Sequence, residues 1–364
     1  MRALEGLSVV AIEQAVAAPF ASARLADAGA HVTKVERPEG DFARGYDDVA
    51  KGQSSYFVWL NRGKDSVTLD LSSEDGKSAL ADLVANADVL IQNLKPGALT
   101  RLGFDLERLH SENPRLISCS ISGYGEDGPL ADRKAYDLLI QAESGLCSIT
   151  GGPSEPARVG VSLVDIATGA TAHAAILEAL IRRGTTGQGA RISVSMFDVM
   201  ADWLTVPLLN HEGGNSPQRI GLAHPSIAPY GVFQPKTGAP ILISVQSDRE
   251  WRVLCRDFVG DEALGTDPRF ATNVARVQNR DQTDAIVAKA FAQYDAPEAA
   301  ERLENCKIAL ATVNDMAGLS DHPQLRRITV DSPNGPVSYP APGALFVGEQ
   351  RDYGPIPALN TAKD

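Results

Sequence analysis

The chain has 364 residues, and its 34 Lys and Arg against 46 Asp and Glu leave a formal net charge of −12. That acidity excludes a bulk electrostatic hold on nucleic acid or on an anionic membrane, both of which need a basic face. Hydrophobic content of 43% with 22% charged residues is the composition of a globular protein, and the length suits about two domains.

No uninterrupted apolar run approaches the roughly 18 residues of a membrane span. The opening stretch MRALEGLSVVAIEQAVAAPF carries Glu5 and Glu13 inside its apolar part, which does not suit a secretory signal. Cys119, Cys147, Cys255 and Cys306 are scattered, with no CxxC pair, and read as small core residues of a reduced, cytoplasmic protein. The six histidines (His31, His110, His173, His211, His224 and His322) form no HxxxH or Cys/His cluster, so no metal is expected.

In chain order, Leu7–Glu13 is a buried strand, Pro19–Gly29 a helix with a glycine stop, and His31–Glu36 a second strand. This is a βαβ unit in about thirty residues. Val67–Leu71 is expected as a strand, Ser73–Ala87 as a helix, and Val89–Gln92 and Arg115–Ile121 as further strands. Strand–helix alternation with short links predicts an α/β fold, a doubly wound and mostly parallel sheet covered on both faces. Asp165–Arg183 reads as the clearest helix, with Ala170, His173, Ile176, Leu177, Leu180 and Ile181 at helical spacing. Arg191–Met196 follows as a strand and Phe197–Leu209 as a helix.

Composition then shifts. Residues 211–224 begin a stretch rich in Gly, Pro and Ser and read as a linker. Strands at Tyr230–Gln234, Pro240–Val245 and Ile308–Val313 and helices near Asp248–Val259, Asp281–Tyr294 and Pro297–Asn305 predict a smaller α+β domain over 225–315. Residues 1–210 and 316–364 are then the large domain.

The chain has no GxSxG, no GxGxxG after its first strand and no GxxxxGK[ST], so serine hydrolase, dinucleotide and P-loop readings lose their support. Asp165 follows GVSLV and directly precedes the clear helix. An aspartate there either caps the helix or brings a carboxylate to a helix N-terminus for chemistry, and position alone does not choose. Arg37, Arg44, Arg62, Lys64, Arg101 and Lys134 fall in or beside loops of the α/β half, where a cluster could hold phosphates against the global charge.

Several segments together resemble the family III CoA-transferases, which include formyl-CoA and carnitine CoA-transferases and the related α-methylacyl-CoA racemases. They are LADAGAHVTKVERPEGDFAR (Leu25–Arg44), YFVWLNRGKDSVTLDL (Tyr56–Leu71), NLKPGALTRLGFD (Asn93–Asp105) and PRLISCSISGYGEDGP (Pro114–Pro129). KAYDLLIQAESG (Lys134–Gly145), Gly160–Asp198 with GVSLVDIATG and TGQGARISVSMFD, and HPSIAPYGVF (His224–Phe233) complete the ordered set.

The resemblance matches Asp165 to the family's catalytic aspartate. It implies a carboxylate that attacks an acyl-CoA thioester and carries the exchange through an aspartyl anhydride and an aspartyl-CoA thioester. No tightly bound cofactor is implied, with coenzyme A and acyl-CoA entering as substrates beside a small carboxylic acid. The CoA contacts it implies fall on Val16, Ala17, Arg37, Leu69, Asn93, Leu94, Arg101, Leu102, Lys134 and Tyr136. With valine at position 16, oxyanion help is expected from backbone N–H groups, including those of Ala17 and Ala18.

The family's racemases place histidine in a GHD-type triplet. Here the triplet is Ala135–Tyr136–Asp137, and a phenol is a poor base at neutral pH, so transfer is preferred over racemisation. A non-catalytic CoA-ester binder is the remaining alternative. AESGLCSITG (Ala142–Gly151) looks closest to transferases for small dicarboxylates, whose remote carboxylate Arg44, Arg158 or His224 could meet. The resemblance also implies a homodimer of chains interlocked like rings.

Overall fold

The computed structural model describes residues 2–361. The chain groups into two compact units, one of Met1–Cys147, Arg158–Leu209 and Arg326–Asp364, the other of Ser148–Ala157 and Asn210–Leu325. Residues 148–157 group with the second unit because its own chain holds them. Gly221 N–H donates to Gly151 O at 3.0 Å, and Arg219 donates to the carbonyls of Gly152 and Ser148 at 3.2 and 3.0 Å.

The first unit is built on six strands: β1 (Ser8–Ile12), β2 (His31–Glu36), β3 (Lys64–Thr68), β4 (Val89–Gln92), β5 (Ile117–Ser122) and β6 (Ala190–Ser195). They lie in the order β3-β2-β1-β4-β5-β6, and every neighbouring pair is parallel. Successive side chains of a strand point to opposite faces, and here both faces are covered. Val9 and Ala11 of β1, Val89 and Ile91 of β4, and Ile117 and Cys119 of β5 enter one core with the helix Ala17–Asp27 and the long helix Leu163–Thr186. Val10, Ile12, Val35 and Leu90 enter the other, with Leu80 and Val84 of the helix Glu74–Ala85.

The long helix is apolar and long enough to cross a membrane by length and composition, yet Val164, Ala167, Ala172 and Ile176 are fully buried in the core. Gly169 lets it close on the first helix. A Cβ there would stand 2.5 Å from Ala17 O and 2.8 Å from Phe20 Cβ.

Three expected elements differ. The strand expected at Val67–Leu71 is β3 at Lys64–Thr68. Its buried Lys64 and Ser66 hide the strand signal, because each meets a buried carboxylate: Lys64 Nζ lies 2.6 Å from Glu13 Oε1, and Ser66 Oγ donates to Glu36 Oε1 at 2.6 Å. The helix expected at Phe197–Leu209 is two, Met196–Trp203 and Thr205–Glu212. The C-terminal part, expected only as a short segment, carries an antiparallel hairpin of two strands, Arg327–Val330 and Val337–Pro340. Val330 and, further on, Ile356 pack with Phe57 and Val58.

The second unit holds an antiparallel sheet of Tyr230–Phe233, Ile241–Ser244 and Ala309–Thr312, with Trp251, Phe258, Phe270 and Phe291 fully buried beneath it. Cys119 and Cys255 are buried as expected of core thiols, whereas Cys147 and Cys306 are only half-buried; all four are free.

Candidate active site

In this strand order the chain leaves β1 toward β2 on one side and later returns to β4 on the other. The carboxyl ends of β1 and β4 therefore diverge into a crevice, the place where open α/β sheets bind ligands. A cavity of about 660 Å³ opens there, within the first unit. Gln14–Ala17 follow β1, Asn93 and Leu94 follow β4, Ile121–Gly123 end β5, and Met196 follows β6; all of these line it. Gly123 lets the segment 132–137 close over the crevice, since a Cβ on it would lie 2.1 Å from Ala135 Cβ.

Asp165 lines this cavity from the first turn of the long helix. It does not cap that helix. The residue before the helix, Ser162, makes no side-chain cap, and the capping oxygen comes from elsewhere: Asp137 Oδ1 accepts from the N–H groups of Val164 and Asp165 at 2.8 and 3.2 Å. Gln141 holds Asp137 in place, donating to its Oδ2 at 2.7 Å while its own oxygen accepts from Val159 N–H at 2.9 Å. The Asp165 carboxylate accepts no hydrogen bond among the described residues. Burial, with the Asp137 carboxylate adding to it, pushes its pKa up to about 7. Burial disfavours the charged form of such a carboxylate, and a group perturbed in this way inside a crevice is a candidate for the chemistry of the site.

Tyr46 and Tyr56 line the same cavity, and Tyr56 Oη lies 3.4 Å from Ser162 Oγ. Burial, reinforced by Asp41 and Asp165, pushes the Tyr46 phenol up to about 12, so it stays a hydrogen-bond donor at neutral pH. Four cations stand on the wall. Two are engaged: Lys95 with Asp132 at 3.7 Å and Arg133 with Glu143 at 2.6 Å. Lys134 and Arg158 have no ion-pair partner among the described residues.

Of the ten contacts implied by resemblance, Val16, Ala17, Asn93, Leu94, Lys134 and Tyr136 line this cavity with Asp165. Val16 precedes the helix Ala17–Asp27 and gives it no side-chain cap, so the first N–H groups of that helix are not taken by a cap oxygen. The Asn93 amide braces the turn: its Oδ1 accepts from Gln14 N–H at 3.0 Å and its Nδ2 donates to Gln14 O at 2.8 Å. Arg37 and Leu69 line a second cavity of about 330 Å³ at the carboxyl ends of β1, β2 and β3, which shares Gln14 and Leu94 with the first. Arg101 and Leu102 line neither. Arg101 is exposed, and Leu102 packs with Leu69 and Leu94 against the core.

Asp137, Gln141 and the two tyrosines carried no assigned role in the sequence. The spacing of Asp137 and Gln141 marks one face of a helix, but nothing local says that Asp137 meets the N–H of Val164, 27 residues later.

A doubly wound sheet with a crevice at its switch point, lined by cations and by a carboxylate that accepts no hydrogen bond among the described residues, suits an anionic ligand. The chain belongs to CoA-transferase family III, whose family description matches residues 4–360. It is 38% identical to acetyl-CoA:oxalate CoA-transferase of Acetobacter aceti, over 95% of this chain and 93% of that one. It is 35% identical to succinate–glutarate CoA-transferase of Agrobacterium fabrum, over 92% and 86%. The solved structure of a CAIB/BAIF family protein from Brucella suis matches with a TM-score of 0.84 and 37% identity, over 99% of this chain and 97% of that one. The protein is an enzyme of the family III CoA-transferase class.

Proposed function

We propose that the enzyme moves CoA from an acyl-CoA donor such as succinyl-CoA to a small dicarboxylic acid, with Asp165 as the covalent relay. The observation that carries this is the Asp165 carboxylate itself, which stands on the cavity wall and accepts no hydrogen bond among the described residues while Asp137 takes the capping role. A carboxylate oxygen of Asp165 attacks the thioester carbon, the C–S bond breaks, and an anhydride and CoA thiolate result. The thiolate attacks the aspartyl carbon and expels the donor acid, leaving an aspartyl-CoA thioester. The acceptor carboxylate attacks that thioester, releases the thiolate and forms a second anhydride. The thiolate then takes the acceptor acyl group and frees Asp165. Each step exchanges one activated acyl species for another. The Ala17 N–H, at a helix N-terminus on the wall, suits the oxyanion of the tetrahedral states. Lys134 suits the CoA phosphates from the first cavity and Arg37 from the second.

Incubation with succinyl-CoA followed by hydroxylamine is expected to convert Asp165 to its hydroxamate, seen as a mass shift on its peptide. An unlabelled Asp165 would favour a CoA-ester binder instead, and deuterium entering Cα of a 2-methylacyl-CoA would favour a racemase.

The assembly belongs to the same proposal: two chains interlocked as a homodimer. Support comes from Trp203, Val206, Leu208 and Leu209, large apolar side chains left exposed on two consecutive helices. Sedimentation of the native protein should give a dimer at every dilution, and a monomer at low concentration would contradict the interlock. The four free cysteines suit a reducing, cytoplasmic setting.

A further inference from the structure

We infer that Arg158 is the residue that selects a dicarboxylate, by pairing with the carboxylate of the acceptor that does not react. The inference rests on the transferase reading above and deepens it.

Of the three side chains the sequence offers for a remote carboxylate, two are engaged elsewhere; Lys134, the other unpaired cation on the wall, is the one given to the CoA phosphates above. Arg44 is committed to Glu36: its Nε and Nη2 donate to the two carboxylate oxygens at 2.8 and 2.7 Å, and its guanidinium lies 3.7 Å from the centre of the Phe57 ring. Burial would raise Glu36, but its hydrogen bond from Arg44, with Lys34 and Ser66, brings it down to about 2, so the pair stays ionised. His224 is engaged locally: its ring stacks on Tyr230 at 5.3 Å and its Nδ1 accepts from Ser226 N–H at 3.1 Å.

Arg158 is different in each respect. It stands on the wall of the cavity that holds Asp165, and among the described residues it has no carboxylate or carbonyl partner. Its backbone is tied to the site. The next residue, Val159, donates to Gln141, Gln141 donates to Asp137, and Asp137 accepts from the N–H of Asp165. One chain of three hydrogen bonds thus joins the segment that carries the cation to the turn that carries the nucleophile. A planar guanidinium meets a carboxylate with two parallel hydrogen bonds, which a monocarboxylic acid bound through its reacting end cannot offer.

The test is exchange from acetyl-CoA to a panel of oxalate, succinate and glutarate beside propionate and butyrate, for wild type and for Arg158→Gln and Arg158→Lys. Arg158→Gln is expected to raise KM for the dicarboxylates by about ten- to hundredfold, the loss of one charge-assisted pair. KM for the monocarboxylates and Asp165 labelling by hydroxylamine should stay as in wild type, and Arg158→Lys should recover part of the loss. Equal changes for both acid classes, or none, overturn the selectivity role while leaving the transferase reading intact. Wild type that exchanges with no acid overturns the transferase reading itself, and the role of Arg158 with it.

Discussion

Asp165→Asn is expected to abolish CoA exchange, by at least about three orders of magnitude, and to raise the melting temperature at neutral pH. The two effects share one cause. The carboxylate is held half-buried with the Asp137 carboxylate nearby, and its pKa stands at about 7 against an ordinary value of 3.8. A carboxyl group whose folded pKa is raised is easiest to keep protonated in the folded state. Its presence therefore costs no stability below about pH 4, and the cost grows as pH rises toward 7, then levels off. Asparagine removes that cost, on the order of 2–4 kcal/mol above pH 7, together with the nucleophile. Thermal melts of both proteins between pH 4 and 8 check this. Curves that run parallel across that range would show that the carboxylate is not strained by its surroundings. The same shift predicts that kcat/KM of the wild type climbs with pH through about 7, because only the ionised form attacks. Asp137→Asn should move that midpoint downward, since it removes the neighbouring negative charge.

Glu13→Ala is expected to destabilise the first unit by about 3–5 kcal/mol, read from the urea midpoint. Glu13 follows β1 directly, just before the turn that lines the cavity, and its side chain is completely buried between two lysines. Lys64 Nζ lies 2.6 Å and Lys34 Nζ 3.5 Å from Oε1, while Ser22 Oγ donates to Oε2 at 2.6 Å. Burial would raise the Glu13 carboxyl, but the two ammonium groups outweigh it and hold the pKa below its ordinary value. Removing the carboxylate leaves Lys64 without an ion-pair partner among the described residues, while Lys34 keeps Asp41 at 2.9 Å. Asp41 also accepts from the N–H of Ala15, whose φ of 62° is a left-handed conformation that needs such a brace. The double variant Glu13→Ala/Lys64→Met should recover part of the loss. Strictly additive losses would mean that Glu13 acts by packing alone.

This ionic layer shows why part of the fold was hidden from the amino-acid pattern. A strand such as β3, whose interior positions are Lys64 and Ser66, carries no apolar alternation, because its burial is compensated by Glu36 on the neighbouring strand β2 and by Glu13 just after β1. The C-terminal hairpin was hidden for a related reason. Its buried residue Val330 packs on Phe57 and Val58, far away in the chain.

What the sequence determined alone is the α/β class, β1, β2, β4, β5 and β6 with the helices that cover them, the three strands of the second unit's sheet, and the long helix with Asp165 in its first turn. These depend on local periodicity and on ordered motifs, which a chain carries whatever its tertiary contacts. The tertiary structure decided the rest. Asp137, not Asp165, serves as the cap; Arg101 faces solvent; and Arg44 is spent on Glu36, while Arg158, without an ion-pair partner among the described residues, lines the same cavity as Asp165. Each is a matter of which side chain finds a partner across the fold, and a hydrogen bond acts only at about 3 Å, a separation that spacing along the chain does not encode.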